Sequence, residues 1–539
     1  MDLRPSSILR WLFDPQHGDR NRLLPRWLFL RALGFIYFSA FYSLLFQIRG
    51  LIGQNGILPA SEYLRAVANS IGFARFWYAP TLLWFSAGNH MLMAICCAGL
   101  LASVLLTINI FPRGVLLICF ICFLSFVSAA SDFSGYQSDG MLLEAGFLSL
   151  FLAPPGFRPG LAPNSPSIRA SIFLLLWEWF RIYFESGIAK IASGDPEWRH
   201  FTAMDEYYQN GPLPTWIGWY VQHLPHWFHA ATAFGTLALE LALVWMLFLP
   251  RRFRIICFFI VTPWQIGVIL TANYTFLNYL VLALAIFLLD DRFLAPFILR
   301  FVPQSWRAQL SQSTQTVAAA PETAAPSWQQ TWARHLAAAK LALTAVMFIW
   351  LSYSSTVLLL MMIWPAAPFP YAPIAALQPF RVADRYGLFA VMTRGRYEIE
   401  FQGSNDGENW TAYPFRYKPQ NPYETPRIYA PYQPRFDWNL WFASLGHWRS
   451  NPIVPRTEER LLEGSADVLA LFAGNPFPQP PRQIRVLLWQ YWFTSMQEKR
   501  EHGLWWRRQL LGNYAPTLAR DANGRIVAIE WPPELPPRQ

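Results

Sequence analysis

The 539-residue chain is 54% hydrophobic and 17% aromatic, with a net charge of +10 and only 14% charged residues, against about 25% in soluble domains. That balance excludes a wholly water-soluble protein and points to a polytopic α-helical membrane protein, because several apolar runs approach the ~20 residues that cross a bilayer. The basic excess calls for no nucleic-acid partner, since Lys and Arg of membrane proteins gather in cytoplasmic loops next to membrane lipid.

Residues 1–25 form an Arg-studded leader rather than a cleavable signal, because the first apolar run begins only near Arg26. Membrane segments are expected at about 26–48, 89–111, 114–130, 140–153, 168–192, 229–249, 253–271, 275–289 and 338–363, making eight to nine spans. The fourth is short enough to be re-entrant. Basic loops alternate with uncharged or acidic ones: SDFSGYQSDG follows the third segment, PRRFR the sixth and TANYTF the seventh. The positive-inside rule then places the N-terminus in the cytoplasm and everything beyond about Ile363 on the far side. The multi-pass region is expected over 26–310, a Gln/Ser/Thr/Ala-rich flexible cytoplasmic loop over 311–337, and a last span over 338–363.

After a proline-rich spacer, WPAAPFPYAPIAALQP, residues 380–539 read as an exported β-rich or α+β domain, with a sandwich as one form. RYEIEFQGSNDGENWTAY alternates and turns at Asp406-Gly407. RQIRVLLWQYWF is a second strand, and RTEERLLEGSADVLALFAG has helical spacing ending on Gly474. The five cysteines all fall in apolar segments. Cys119 and Cys122 form a CxxC inside a span, where thiol–disulfide chemistry would lack a helix N-terminus and solvent. Lysine is scarce, at four residues (Lys190, Lys340, Lys418, Lys499), a bias that leans towards a GC-rich bacterial source.

No soluble-enzyme signature is present: no GxGxxG, Walker loop, HExxH or GxSxG. His223, His226 and His229 in HLPHWFH lack nearby Cys or carboxylate partners and read as an interfacial segment, so no metal site is assigned, and no catalytic residue or cofactor either. The unusual stretch is WEWFRIYFESGIAK, residues 177–190. At ~100° per residue Glu178, Arg181 and Glu185 share one face of about 60°, a stripe in which one Arg sits between two Glu. Lys190 lies off that face near the outer end, placed to snorkel. The stripe is either a latch between helices or a polar site facing a cavity. Asp139, Glu144 and Glu240 are the other acids in or near the apolar segments, and they could complete a polar core. The following connection, residues 193–225, is rich in aromatics. Trp198, Arg199, Tyr207, Tyr208 and Trp216 are its candidate client-facing residues.

FRIYFESGIAKIASGDPEWRHFTAMDEYYQNGPLPTWIGWY, NYTFLNYL before LLDD, and RYGLFAVMTRGRYEIEFQGSNDGENW with later stretches resemble the lipase maturation factor family, in order from about residue 10 to 515. The resemblance implies a multi-pass protein with a large exported domain that helps secreted lipases reach their active, assembled state. In a eukaryote that places it in the endoplasmic reticulum, in a bacterium at the plasma membrane. The family core is also similar to the membrane region of vitamin K-dependent carboxylase-like proteins. That implies a second function, an integral membrane enzyme acting on a lipid or a protein side chain. The exported domain departs from the family in having no cysteine.

Overall fold

The structure, a computed structural model, describes residues 5–298, 300, 306–307, 310 and 328–534. Each apolar run forms a helix: α1 Leu23–Leu45, α2 Asn89–Thr107, α3 Pro112–Val127, α4 Gln137–Leu152, α5 Arg169–Ala192, α6 His226–Leu241, α7 Arg251–Thr271, α8 Leu277–Ala285 and α9 Trp328–Ile363. Among the described residues, five helical stretches are long and apolar enough to cross a membrane: 23–45, 89–107, 226–248, 251–271 and 332–363. Eight to nine spans are therefore more than length and composition establish. At 16 residues α4 is about 24 Å long, short of a ~30 Å hydrocarbon core. Of the loop expected at 311–337, residues 311–327 lie outside the described residues, and 328–337 are the first turns of α9.

One end of the bundle gathers the basic helix starts. The Asp291 carboxylate caps α1 by accepting from the Leu23 and Leu24 amides at 3.0 and 2.7 Å, satisfying donors that a helix N-terminus leaves free. There too, Arg113 donates to the Ala153 carbonyl at 2.7 Å, and Arg251 pairs with Asp290.

The opposite end carries a five-stranded antiparallel sheet, ordered β2-β1-β3-β4-β5. Its strands are β1 Arg396–Ser404, β2 Thr411–Ala412, β3 Gln483–Phe493, β4 Trp506–Arg520 and β5 Ile526–Glu530. Asp406 builds the β1–β2 turn by accepting from the Glu408 and Asn409 amides, with Gly407 at φ +82°. In β1, Ile399 and Phe401 point into an apolar core with Phe415, Phe436 and Phe472. Helices α10 Arg435–Leu445 and α11 Ile453–Glu463 complete this domain. It is a single sheet with helices rather than a sandwich. The helix expected to run to Gly474 ends instead at Gly464, which takes φ +71° in the left-handed region.

Candidate functional site

The charged stretch of α5 meets an irregular segment of the sheet domain, residues 384–393, which runs along the helix as a strap. A segment outside helix and sheet must find other partners for its backbone groups, and α5 and its continuation provide them. Arg181 donates to the Asp384 carbonyl at 2.7 Å, and Glu185 accepts from the Tyr386 amide at 2.6 Å. Ser186 accepts from the Leu388 amide at 3.3 Å, and Lys190 donates to the Leu388 carbonyl at 2.9 Å. Beyond the helix end, Trp198 donates to the Phe389 carbonyl at 3.0 Å and Asp195 accepts from the Met392 amide at 2.7 Å. The polar side chains, about one helical turn apart, follow the strap residue by residue.

The three expected charges of the stripe do not form a closed triad. Arg181 pairs with Glu144 on α4, and Glu185 stands 3.8 Å away. Glu144 also accepts from the Tyr386 hydroxyl at 2.7 Å. Glu178 is fully buried, and neither of its oxygens has a hydrogen-bond partner among the described residues. The neighbouring helix and the strap offer Arg181 better aligned acceptors than its own helix does, so tertiary geometry overrides sequence spacing. Gly140 makes room for this cluster, since a Cβ there would meet Asp384 Oδ2 at 2.2 Å. Burial pushes the Asp384 carboxyl above its usual range, with Arg381 and Arg181 drawing it back.

Lys190 does not snorkel. It is buried, 2.9 Å from Glu240 on α6, and lies over the Trp198 ring. Gly187 permits this, because a Cβ there would press on Leu241 and on Glu240 Cβ at 3.0 Å. Helices α5 and α6 can therefore approach closely. The Lys190–Glu240 pair borders a half-open cavity of about 1340 Å³ between α5–α8 below and the strap with α10 above.

The 193–225 connection is largely folded in. Of the five candidate residues, Trp198 and Tyr208 are buried, Tyr207 is half-buried, and Arg199 and Trp216 stay exposed. Tyr208, Trp219, Tyr491, Phe493 and Trp506 pack together against the sheet. Buried Arg396 donates to the Gln209, Gly211 and Pro212 carbonyls from the polar face of β1. The histidines do not converge: His223 contacts the Trp219 and Thr494 carbonyls, His226 contacts Asp205, and the His229 ring lies tilted against Tyr208. No cluster suited to a metal ion occurs among the described residues.

Asp139 stays apart from the Arg181 cluster. It holds Arg435 of α10 through two 2.7 Å contacts, and both side chains are fully buried. Asn273, from NYTFLNYL, accepts from the Tyr429 and Ala430 amides and donates to the Leu213 and Arg427 carbonyls. Sequence reasoning missed Asp384, Tyr386, Arg435 and Asn273. The signal for the strap was RVADRYG, a charged and aromatic stretch without strand alternation, directly after the proline-rich spacer.

Residues 24–296 match the family model described as Lipase maturation factor transmembrane domain, and residues 382–516 match the Lipase maturation factor C-terminal domain. The chain is 31% identical to Lipase maturation factor 2 of Gallus gallus over 584 residues, covering 92% of this chain and 81% of that protein. Against Lipase maturation factor 1 of Mus musculus it is 31% identical over 541 residues, covering 96% and 91%. Against Lipase maturation factor 2 of Homo sapiens the identity is 30% over 592 residues, covering 92% and 83%. No solved structure matches the chain.

Proposed function

The chain belongs to the lipase maturation factor family, and on that premise we propose that it is a membrane-bound maturation factor assisting the folding or assembly of exported lipases. The basic ends of α1, α3 and α7 face the cytoplasm by the positive-inside rule. The sheet domain then lies in the lumen of the endoplasmic reticulum or, in a bacterium, in the periplasm. There it works as a chaperone, receiving client chains on its outer surface beside exposed Arg199 and Trp216.

The observation that carries this reading is the strap. Arg181 and Lys190 donate to its backbone carbonyls and Glu185 accepts from its Tyr386 amide, so the intramembrane charges hold the exported domain in a fixed seat. A client-binding domain held at the membrane surface meets chains as they emerge, and its fixed orientation lowers the ordering cost of each encounter.

Deleting the gene and comparing the exported proteins tests the proposal. Secreted lipases should lose activity or abundance while other exported proteins keep theirs. Unchanged lipase activity in the deletion strain overturns it.

A further inference from the structure

The cavity beneath the strap has no role in the holding function. Its volume of about 1340 Å³ exceeds the roughly 300–1,000 Å³ of small-molecule sites. On α7 its lining includes Ile260, Trp264, Gly267, Val268 and Thr271, one helical stripe about 17 Å long at 1.5 Å per residue. That is more than half of a ~30 Å hydrocarbon layer. The cavity thus extends from the exported domain well down the flank of a helix long and apolar enough to span the membrane.

Its side wall is only partly closed. Helix α7 packs on α8, on the short helix at 216–222 and on the 243–248 stretch that continues α6, and its Trp264 lies against Gly235 of α6. Ile260, Pro263 and Gly267 of α7 line the cavity and are also exposed. Cavity-lining residues exposed on the flank of an apolar helix at this depth face the bilayer rather than water.

The upper part is polar and incomplete. The Trp438 and Trp441 indole N–H groups, both atoms of the Gln433 side-chain amide, Thr275 Oγ1 and Glu240 Oε2 are buried without hydrogen-bond partners among the described residues. All six groups belong to residues lining this cavity, and Gln433 is fully buried. Buried polar groups in native proteins are otherwise paired, so such a concentration around one cavity marks a site for a polar ligand group. Its charge is limited: Lys190 is paired with Glu240, and Asp132 adds a second acid to the lining. An anionic headgroup would meet two carboxylates and one engaged amine.

We propose that the cavity binds a diacyl glycerolipid with a zwitterionic headgroup, entering past the exposed flank of α7 at Pro263 and Gly267. The acyl chains lie along α7, and the ester carbonyls accept from Trp438, Trp441 and Gln433. The experiment uses full-length protein reconstituted in nanodiscs with a photoactivatable phosphatidylcholine, followed by mass spectrometry of the labelled peptides. Wild-type protein should be labelled within residues 228–281, and a phosphatidylglycerol probe should label it less. Gly267→Trp is the blocking variant, because a Cβ at Gly267 meets nothing within 4 Å; the ring fills the cavity while the helix gains propensity. It should keep the wild-type melting temperature and lose labelling about tenfold, equivalent to ~1.4 kcal/mol. Trp441→Phe keeps the ring packing, removes one donor, and should lose labelling partially. Equal labelling of wild type and Gly267→Trp, preference for the anionic probe, or recovery of a co-purifying polypeptide cross-linked to these residues each overturns the proposal.

Discussion

Helix α5 passes through two polar environments that are about two turns apart and built from the same kinds of residue. Around Arg181, every direction is filled with protein: Glu144, Glu185, Tyr386 and the Asp384 carbonyl. Around Lys190, one side is Glu240 and the strap, and the other is open cavity. Charge inside an apolar bundle therefore has two uses here. In the filled site it ties irregular backbone down, and in the open site it leaves polar groups available to something else. Burial alone does not separate them, since both side chains are almost fully buried.

The largest expected effect comes from breaking the filled site. Arg181→Gln leaves Glu144 without its cation and the Asp384 carbonyl without its donor, in a place where water cannot substitute. Removing one partner of a buried ion pair costs about 3–5 kcal/mol, so the protein should be depleted in membranes and the strap should become sensitive to protease. If Arg181→Gln accumulates to normal levels while lipase maturation stops, the cluster is a chemical site and the holding role fails.

Lys190→Ala should cost less, about 2 kcal/mol, the usual scale for hydrogen bonds to a charged group. The reason is that Glu240 borders the open cavity, whereas Glu144 is enclosed by protein. Thermal unfolding of the two variants in the same detergent makes the comparison. A loss at Lys190 equal to that at Arg181 would mean that the cavity is as dry as the filled site, and the distinction between them would collapse.

These pairings are the part of the molecule that the chain's local patterns could not disclose. Apolar runs locate helices well: 168–192 was expected where α5 covers Arg169–Ala192, and 253–271 where α7 covers Arg251–Thr271. Alternation likewise locates β3, expected at 482–493 and observed at Gln483–Phe493. Both signals are local and repeat within a few residues. Arg181 and Asp384 are 203 residues apart, Lys190 and Glu240 are 50 apart, and Asp139 and Arg435 are 296 apart. Helical geometry correctly groups Glu178, Arg181 and Glu185 on one face, but it carries no information about which neighbouring helix supplies Glu144. For the same reason the aromatics of 193–225 read as a client surface. Their density suggests exposure, whereas the sheet and Arg396 that cover them lie two hundred residues away.

The smallest effect tests whether the filled-site logic extends to the sheet domain, beyond the apolar helices. Asp437 on α10 is buried and accepts from the Tyr417 and Lys418 amides at 3.2 Å, another carboxylate ordering irregular backbone. Burial pushes its carboxyl up to about 6, with the Lys418 amide and ammonium drawing it back, against ~3.9 in an unfolded chain. The folded state therefore takes up a proton before the unfolded chain does as pH falls. Above pH 6 the full cost of the buried anion is present, and below about pH 4 it is gone, a difference of roughly 2–3 kcal/mol at 1.36 kcal/mol per unit. Acidification from pH 7 to pH 5 should raise the unfolding temperature of the sheet domain by a few degrees. Asp437→Asn keeps the acceptor oxygen and cannot ionise, so it should remove most of that rise, followed by intrinsic tryptophan fluorescence. Asp384, also raised by burial, contributes with the same sign in both proteins and cancels in the difference. If the pH dependence is identical in the two proteins, Asp437 is not a buried anion at neutral pH, and the parallel with the Arg181 site ends at the membrane surface.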